Sequence, residues 1–146
     1  MSEVTDSPVE WVAEHTRRYV ESGGEDGHEW RPGVPTLLLT TTGRKSGAKR
    51  RTALIYGRDN ADYVVVASNG GTQGHPAWFL NLQDDPAVEI QVFDTVVPAT
   101  AREAEGAERE RLWALMRQIW PSYDTYQTKT DRRIPVVVLT PSGAKA

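Results

Sequence analysis

The chain has 146 residues, of which 38% are hydrophobic, and this fits one globular domain with a substantial core. Its formal net charge of −3 weighs against general nucleic-acid binding, because such binding usually needs a basic domain. The absence of cysteine excludes disulfides and thiolate chemistry, and three scattered histidines give no reason to expect a metal site. No apolar run is long enough to span a membrane and the N-terminus lacks a signal-peptide core, so we expect a cytoplasmic protein.

The first predicted element is an amphipathic helix that ends at Gly23 and Gly24. Its apolar stripe recurs at helical spacing and consists of Val9, Val12, Ala13, Thr16 and Val20. Such a helix usually packs on a sheet. Peripheral contact with a membrane is the less favoured alternative, because the polar face mixes acidic and basic residues. Residues 1–34 are therefore predicted to form an N-terminal helix and loop ahead of the main domain.

A basic β-hairpin is predicted next, with a Leu- and Thr-rich strand, a turn at residues 43–47 and a return strand that runs to Tyr56. Five cationic side chains lie within it: Arg44, Lys45, Lys49, Arg50 and Arg51. Gly43 and Gly47 let the backbone approach a ligand closely, and Arg and Lys are donors suited to phosphates and carboxylates. Taken alone, the pattern fits a solvated basic loop as well as a clamp for a polyanionic small molecule.

After a turn at residues 57–62, the apolar run Tyr63–Ser68 predicts a strand that is buried on both faces. It ends in Ser-Asn-Gly-Gly, where backbone amides can hydrogen-bond a planar ligand. A short helix then opens at Pro76 and closes at Pro86.

The last third of the chain predicts a strand pair at residues 87–102 and a second long helix at 106–120. Pro121 forces a break, a turn carries Tyr123 and Tyr126, and a buried strand closes the chain at 134–140. Antiparallel strands without βαβ alternation or a GxGxxG turn favour a mainly β (α+β) fold, an antiparallel barrel with flanking helices.

Five segments in chain order carry a family resemblance: LLTTTGRKSG, ASNGG, HPAWFLNL, DDPAVEIQV and WPSYDTYQTKTDRRIPVVVL. Together they are similar to the deazaflavin-dependent nitroreductase family, whose members use coenzyme F-420 on a split β-barrel that resembles FMN-binding folds. The resemblance covers residues 35–141 as one deazaflavin-binding domain and leaves 142–146 as a tail.

The resemblance implies a reduced 8-hydroxy-5-deazaflavin cofactor with a phosphate and an oligoglutamate tail. By motif position, the tail would contact the basic hairpin at Arg44, Lys45, Ser46, Arg50 and Arg51. The ring would be flanked by the return strand, by the end of the buried strand and by the short helix. Those positions are Thr52, Ala53, Leu54, Ile55 and Tyr56, then Val66, Ala67, Ser68 and Asn69, then Ala77, Trp78, Phe79, Leu80 and Asn81.

The resemblance also implies that Trp120, Tyr123 and Tyr126 line the substrate pocket, with Tyr123 touching the cofactor as well. We expect hydride transfer to an activated alkene (enone), a quinone or a nitroaromatic. The proton would come from Tyr123, Tyr126 or solvent, with Ser68 as a catalytic hydrogen-bond donor to the acceptor. Family members often carry lysine at the position of Asn69 and tyrosine at that of Trp120, which puts nitro-drug activation in doubt.

Several alternatives stay open. An FMN-binding split-barrel reductase would also need a phosphate clamp, and a non-catalytic protein could sequester the deazaflavin. RNA binding through the basic hairpin is less favoured, because few aromatic residues accompany it. The Asp131–Arg133 loop is read as ion-paired rather than as a second anion site. We expect a small-molecule acceptor as the partner and a monomer or weak homodimer.

Overall fold

The computed structural model describes residues 4–6, 10–22, 24, 28–31, 34–68 and 74–142. Within them lie four helices: α1 (Glu10–Ser22), α2 (Ala77–Asp84), α3 (Gly106–Ile119) and α4 (Ser122–Thr128). The strands are β1 (Val4–Asp6), β2 (Glu29–Arg31), β3 (Val34–Thr42), β4 (Lys49–Ile55), β5 (Gly57–Asp59), β6 (Asp62–Val66), β7 (Ala87–Val92), β8 (Thr95–Glu103) and β9 (Val136–Pro141).

All the strands join one sheet, in the order β1-β4-β3-β7-β8-β9-β6-β5, with β2 added on β3. Neighbours are antiparallel except for β1, which runs parallel to β4. Although β4 and β6 are not paired, they approach each other. The sheet therefore curls into a split barrel that stays open along a seam between β4 and β6, which confirms the predicted fold class.

Strand direction places the C-terminal ends of β3 and β6 at the same end of the barrel. Four antiparallel pairings separate them, through β7, β8 and β9, so the two strands point the same way. The β3–β4 turn and Ser68 consequently share one end, which we call the hairpin end. The turn between β7 and β8 lies at the other, which we call the opposite end.

Two hydrophobic cores lie on the two faces of the curled sheet. Side chains alternate along β6, so Val65 and Ala67 point inward while Val64 and Val66 point outward. The interior core also receives Phe79 and Leu82 from α2. The exterior core is made with α3 and α4, chiefly by Leu112, Met116, Tyr123, Ile134, Val136 and Val138. The sheet thus separates the surroundings of α2 from those of α3 and α4.

The opposite end is closed by α1 and the loop that follows it. The Tyr19 hydroxyl accepts a hydrogen bond from the Phe93 N–H at 2.7 Å, and Phe93 has a φ of +55° in the β7–β8 turn. His28 stacks on the Phe93 ring with centroids 3.8 Å apart and bonds the Tyr56 hydroxyl through Nε2 at 2.9 Å. Burial raises the pKa of Tyr19 to about 12, so this phenol stays neutral.

The structure corrects several sequence predictions. Residues 57–59 form a strand rather than a turn, because they pair with β6 along its free edge. The turn predicted after Pro121 is helix α4. Residues 4–6 and 29–31 are strands of the main sheet, so the first 34 residues are more than a helix and loop.

The predicted buried stripe of α1 also differs from the observed one. His15, Thr16 and Tyr19 are buried, whereas Val20 is 38% exposed. Tyr19 replaces Val20 in the interface because its hydroxyl reaches the backbone of the β7–β8 turn. The side chains of Val12 and Ala13, and the whole of Val9, lie outside the described part of the chain.

Candidate active site

The turn between β3 and β4 is closed by its own backbone. The Gly43 N–H donates to the Ala48 carbonyl at 2.7 Å, and the Gly47 N–H donates to the Gly43 carbonyl at 2.8 Å. Gly47 has a φ of +73°, a conformation that glycine adopts without strain. The Ser46 hydroxyl accepts the Ala48 N–H at 3.1 Å and keeps its own proton available to a ligand.

Asn81 of α2 fixes this turn to the barrel. Its side-chain oxygen accepts the backbone N–H of Arg44 at 3.2 Å and the Arg44 guanidinium at 3.1 Å. Its amide nitrogen donates to the Thr41 hydroxyl at 3.2 Å. Asn81 is only 4% exposed, so these bonds also satisfy a buried amide. The basic turn is therefore held in one position against α2.

Strand alternation divides the predicted cofactor contacts of β4 between two faces. Residues directly opposite in an antiparallel pair share a face of the sheet. Thr41, Leu39 and Leu37 of β3 face α2 and the interior, so the β4 residues opposite them face the same way. Those β4 residues are Arg50, Thr52 and Leu54. The others, Arg51, Ala53 and Ile55, lie on the reverse face. One planar ligand on one face can contact the first set directly and the second only through the backbone.

The β3–β4 turn concentrates positive charge. No Asp or Glu occurs between residues 30 and 58. Arg44, Lys45, Lys49 and Arg50 are exposed, and Lys49 donates to the Thr42 hydroxyl at 3.0 Å. Four exposed cations on one turn attract a polyanion, and exposed guanidinium groups can bind phosphate or carboxylate through two hydrogen bonds.

The C-terminal end of β6 is held by Arg132, from the loop before β9. Its guanidinium donates to the Ala67 carbonyl at 3.2 Å and to the Ser68 carbonyl at 2.6 Å. It also lies 3.0 Å from His75 Nδ1. Because a guanidinium has only donors, the ring nitrogen must accept, which places the neutral imidazole proton on Nε2.

Helix α2 spans the space between the hairpin and Ser68. Phe79 and Asn81 are buried, Trp78 and Leu80 are half-buried, and Ala77 is exposed. The Phe79 ring lies 4.9 Å from the His75 ring. Helix α2 thus contacts the hairpin through Asn81, and its Phe79 contacts His75, whose partner Arg132 bonds the end of β6.

The three predicted pocket aromatics form one cluster on the exterior core. The Trp120 indole N–H donates to the Tyr126 hydroxyl at 3.3 Å, and the rings of Tyr123 and Tyr126 meet edge to face at 6.1 Å. Tyr123 is 4% exposed, and burial raises its pKa far above the usual value. Tyr126 is half-buried.

Two further predicted positions, Tyr56 and Val66, do not face the interior at the hairpin end, and a third is not described. Tyr56 follows β4 at the opposite end, about 20 Å of chain from Arg50, and bonds His28 there. Val66 points into the exterior core. Asn69 lies outside the described residues.

Sequence reasoning did not assign Thr41, His75 or Arg132 to the site. Thr41 had a usable signal, since it occupies the inward position of β3 next to the turn. The contact of Arg132 with Ala67 and Ser68 joins residues 64 or more positions apart, and no local pattern encodes it.

Within the described residues, no group of three or more His, Asp or Glu side chains is arranged to hold a metal ion. In the same residues no helix is both long and apolar enough to cross a membrane. The donors that are available, the exposed cations of the β3–β4 turn at the same end of the barrel as Ser68, fit an organic polyanion.

Comparison with protein families gives a match over most of the chain. The model of a family described as F420H(2)-dependent quinone reductase matches residues 11–141. A Mycobacterium tuberculosis (strain H37Rv) protein named F420H(2)-dependent quinone reductase is 38% identical over 135 residues. That alignment covers 90% of this chain and 91% of the relative.

Solved structures show the same similarity. One, described as an F420-H2 dependent reductase, is 49% identical with a TM-score of 0.67, and the match covers 72% of this chain and 93% of that one. Another, described as a domain-swapped dimer, is 46% identical with a TM-score of 0.70, covering 91% and 99%. HutZ of Vibrio cholerae, a heme storage protein, shares the fold at 16% identity and a TM-score of 0.57, covering 75% and 82%.

Proposed function

The chain belongs to the F420H(2)-dependent quinone reductase family, and from that premise we propose that it passes a hydride from reduced coenzyme F-420 to a planar, electrophilic small molecule. It is an oxidoreductase whose cofactor is coenzyme F-420. A quinone is the first acceptor class that we propose, because the M. tuberculosis relative carries that name. Enones and nitroaromatics have the same flat, electron-poor character and are the second.

One observation carries the assignment of the site. Asn81 ties the basic β3–β4 turn to α2 at the same end of the barrel as Ser68. The cationic turn, with α2 attached to it, and the C-terminal end of β6 therefore lie at one end of the barrel. This arrangement supports binding of a molecule that is polyanionic at one end and flat at the other.

The proposed roles follow from that geometry. Arg44, Lys45, Ser46 and Arg50 bind the phosphate and the glutamate tail. Thr52 and Leu54 on one side of the seam and Ala67 and Ser68 on the other flank the ring. When bound, the coenzyme supplies the hydride, and the protein contributes placement of the reactants and exclusion of water.

Reduction of a quinone also requires a proton at the carbonyl oxygen. We propose the Ser68 hydroxyl and the Tyr126 hydroxyl as donors to the acceptor, since both are half-buried. Burial raises the pKa of Tyr123 and encloses it among apolar side chains. Its proposed role is accordingly to hold the ring of Tyr126 in place. Trp120 then orients Tyr126 by its hydrogen bond to the hydroxyl.

Fluorescence titration of the apo-protein with coenzyme F-420 tests the tail site. We expect micromolar or tighter binding in the wild type and loss of that binding in an Arg44→Ala/Arg50→Ala double variant. The matched control is Arg111→Ala/Arg117→Ala, which removes two exposed arginines from α3 and changes net charge equally. The control should bind like the wild type, since exposed ion pairs contribute little to stability.

Turnover of reduced coenzyme with a quinone, an enone and a nitroaromatic then orders the acceptor classes. Binding of FMN in place of coenzyme F-420 would keep the fold and overturn the cofactor assignment. Tight coenzyme binding without turnover of any of the three classes would favour the non-catalytic alternative.

We further propose that the chain is a monomer or a weak homodimer. The relative described as a domain-swapped dimer supports self-association within this fold. Light scattering across a concentration series measures it: a mass that rises with concentration supports the weak dimer, and a constant dimeric mass contradicts it.

A further inference from the structure

Arg132 has a role that the predicted site did not include. We propose that Arg132 is a positioning residue for the ring end of the site: it orients the Ala67–Ser68 peptide so that the Ser68 N–H faces the β4–β6 seam. This inference rests on the proposed function, because the seam is where we place the deazaflavin ring.

Two hydrogen bonds of Ala67 fix the direction of the Ala67–Ser68 peptide. The Ala67 N–H donates to the Pro135 carbonyl at 2.9 Å, and the Ala67 carbonyl accepts from Arg132 at 3.2 Å. Both groups therefore face the β9 side of β6. The bond between Ala67 and Ser68 is trans, so its N–H points opposite to its carbonyl. The Ser68 N–H must then face away from β9.

The edge of β6 that faces away from β9 is only partly covered by β5. The far edge of β6 pairs with β5 only as far as Val64 opposite Gly57. Beyond that pair the edge borders the seam with β4. Among the residues that the structure describes, the Ser68 N–H has no acceptor, and the Ser68 hydroxyl has no partner either. Two donors on one residue are thus open to a ligand in the seam.

The loop that carries Arg132 is itself held by α4. Gln127 of α4 donates to the Arg132 carbonyl at 2.8 Å and accepts the Ile134 N–H at 3.0 Å, which fixes the loop. The guanidinium is then shared among two carbonyls and His75 Nδ1. Lysine has the charge but not the planar fork that reaches three acceptors.

His75 makes the arrangement sensitive to pH. The charged and aromatic groups that face it are Arg132 from the loop before β9, Glu103 from β8 and the Phe79 ring from α2. Burial, and next the Arg132 charge, lower the pKa of His75 below its ordinary 6.5. At neutral pH the ring is therefore neutral and accepts from Arg132. As pH falls through the lowered pKa, Nδ1 gains a proton, the acceptor is lost and two cations face each other.

A tail-less deazaflavin separates this role from that of the basic turn. The experiment titrates wild type, Arg132→Met, Arg132→Lys and the exposed-neighbour control Arg133→Met with coenzyme F-420 and with 8-hydroxy-5-deazariboflavin. We expect Arg132→Met to lose about tenfold in affinity for both ligands, because the Ser68 N–H would no longer be held toward the ring and a single hydrogen bond can contribute about that much. Arg132→Lys should lose less and Arg133→Met nothing. By contrast, Arg44→Ala/Arg50→Ala should lose affinity only for the ligand that has a tail.

A pH series supplies a readout that a purely structural residue would not change. Wild-type affinity for the tail-less ligand should fall as pH drops below 6.5, through the lowered pKa of His75. His75→Asn keeps an acceptor near the position of Nδ1 and cannot titrate, so this step should vanish. His75→Asn and Arg132→Lys also stand in if Arg132→Met fails to fold.

The outcomes are distinguishable. If the wild type binds both ligands and Arg132→Met and Arg132→Lys bind the tail-less one equally well, this inference is overturned and the proposed function stands. A pH step that persists in His75→Asn overturns the His75 part. If the wild type binds neither ligand, the proposed function and this inference fall together.

Discussion

The two ends of the barrel use similar residue types in different ways. At the opposite end, Tyr19, His28, Tyr56 and the Phe93 backbone hydrogen-bond or stack with one another. At the hairpin end, Asn81 and Arg132 instead hold backbone segments whose cations are exposed and whose Ser68 N–H has no acceptor among the described residues. At the opposite end the polar groups use their hydrogen bonds on one another, which closes the barrel. At the hairpin end they hold neighbouring groups whose own donors stay available to a ligand, which is what a binding site needs.

The largest expected effect is at the opposite end. Gly24→Ala should lower the free energy of unfolding by about 3 kcal/mol or more, because the new Cβ would lie 2.2 Å from the Phe93 Cα and Gly24 has a φ of +91°. Chemical denaturation measures this change. The fraction that stays folded should bind coenzyme F-420 with wild-type affinity, and a loss of affinity there would mean that the two ends are coupled.

At the hairpin end, Asn81→Ala should affect both stability and binding. Removing this amide leaves the Arg44 N–H and the Thr41 hydroxyl without their partner, at a cost of about 1–3 kcal/mol. The turn should also lose its fixed position, so we expect weaker coenzyme binding in fluorescence titration. Gln83→Ala, on the exposed face of the same helix, is the control and should change neither property.

Tyr56→Phe distinguishes the two ends most directly. The substitution removes the hydrogen bond to His28 and should cost about 1 kcal/mol of stability in a thermal or chemical melt. Coenzyme affinity should stay unchanged, because Tyr56 lies at the end of β4 away from the basic turn. Weaker binding would instead support the role that the family resemblance implies for this residue.

The smallest effect is expected for Lys45→Ala. Lys45 is exposed, so stability should change by no more than about 0.5 kcal/mol. Coenzyme affinity should fall several-fold at low ionic strength, and the difference should shrink as salt screens the charge. Arg18→Ala, exposed on α1, serves as the matched control. Equal salt dependence in both variants would argue against tail binding at the turn.

Local patterns predicted the elements whose cause is local. The alternation around Ile90 and the apolar run around Val65 gave β7 and β6 within a few residues, and the Leu112 and Met116 spacing gave α3. The basic turn could also be predicted, because its glycines and its cationic residues lie close together in the sequence. These features depend on the period of side chains and on turn chemistry, which the sequence displays directly.

What the sequence did not reveal depends on contacts between distant segments. Residues 57–59 were read as a turn, yet they become β5 because the edge of β6 accepts them. Tyr123 looked like a pocket residue after a proline break, and the structure buries it between α3, α4 and the sheet. The interpretation of Arg132 as part of an ion-paired loop missed its bonds to two carbonyls of β6, which only the tertiary fold brings near.

The open seam has a consequence for the motions of the chain. Strands β3, β7, β8 and β9 each have a hydrogen-bonded neighbour on both sides. Exchange of their ladder amide protons with solvent therefore requires broad unfolding. The Ser68 amide borders the seam with no acceptor among the described residues, so it should exchange early, without opening the sheet. If added coenzyme slows the exchange of that proton, the seam is occupied. This measurement detects binding even where turnover is too slow to follow.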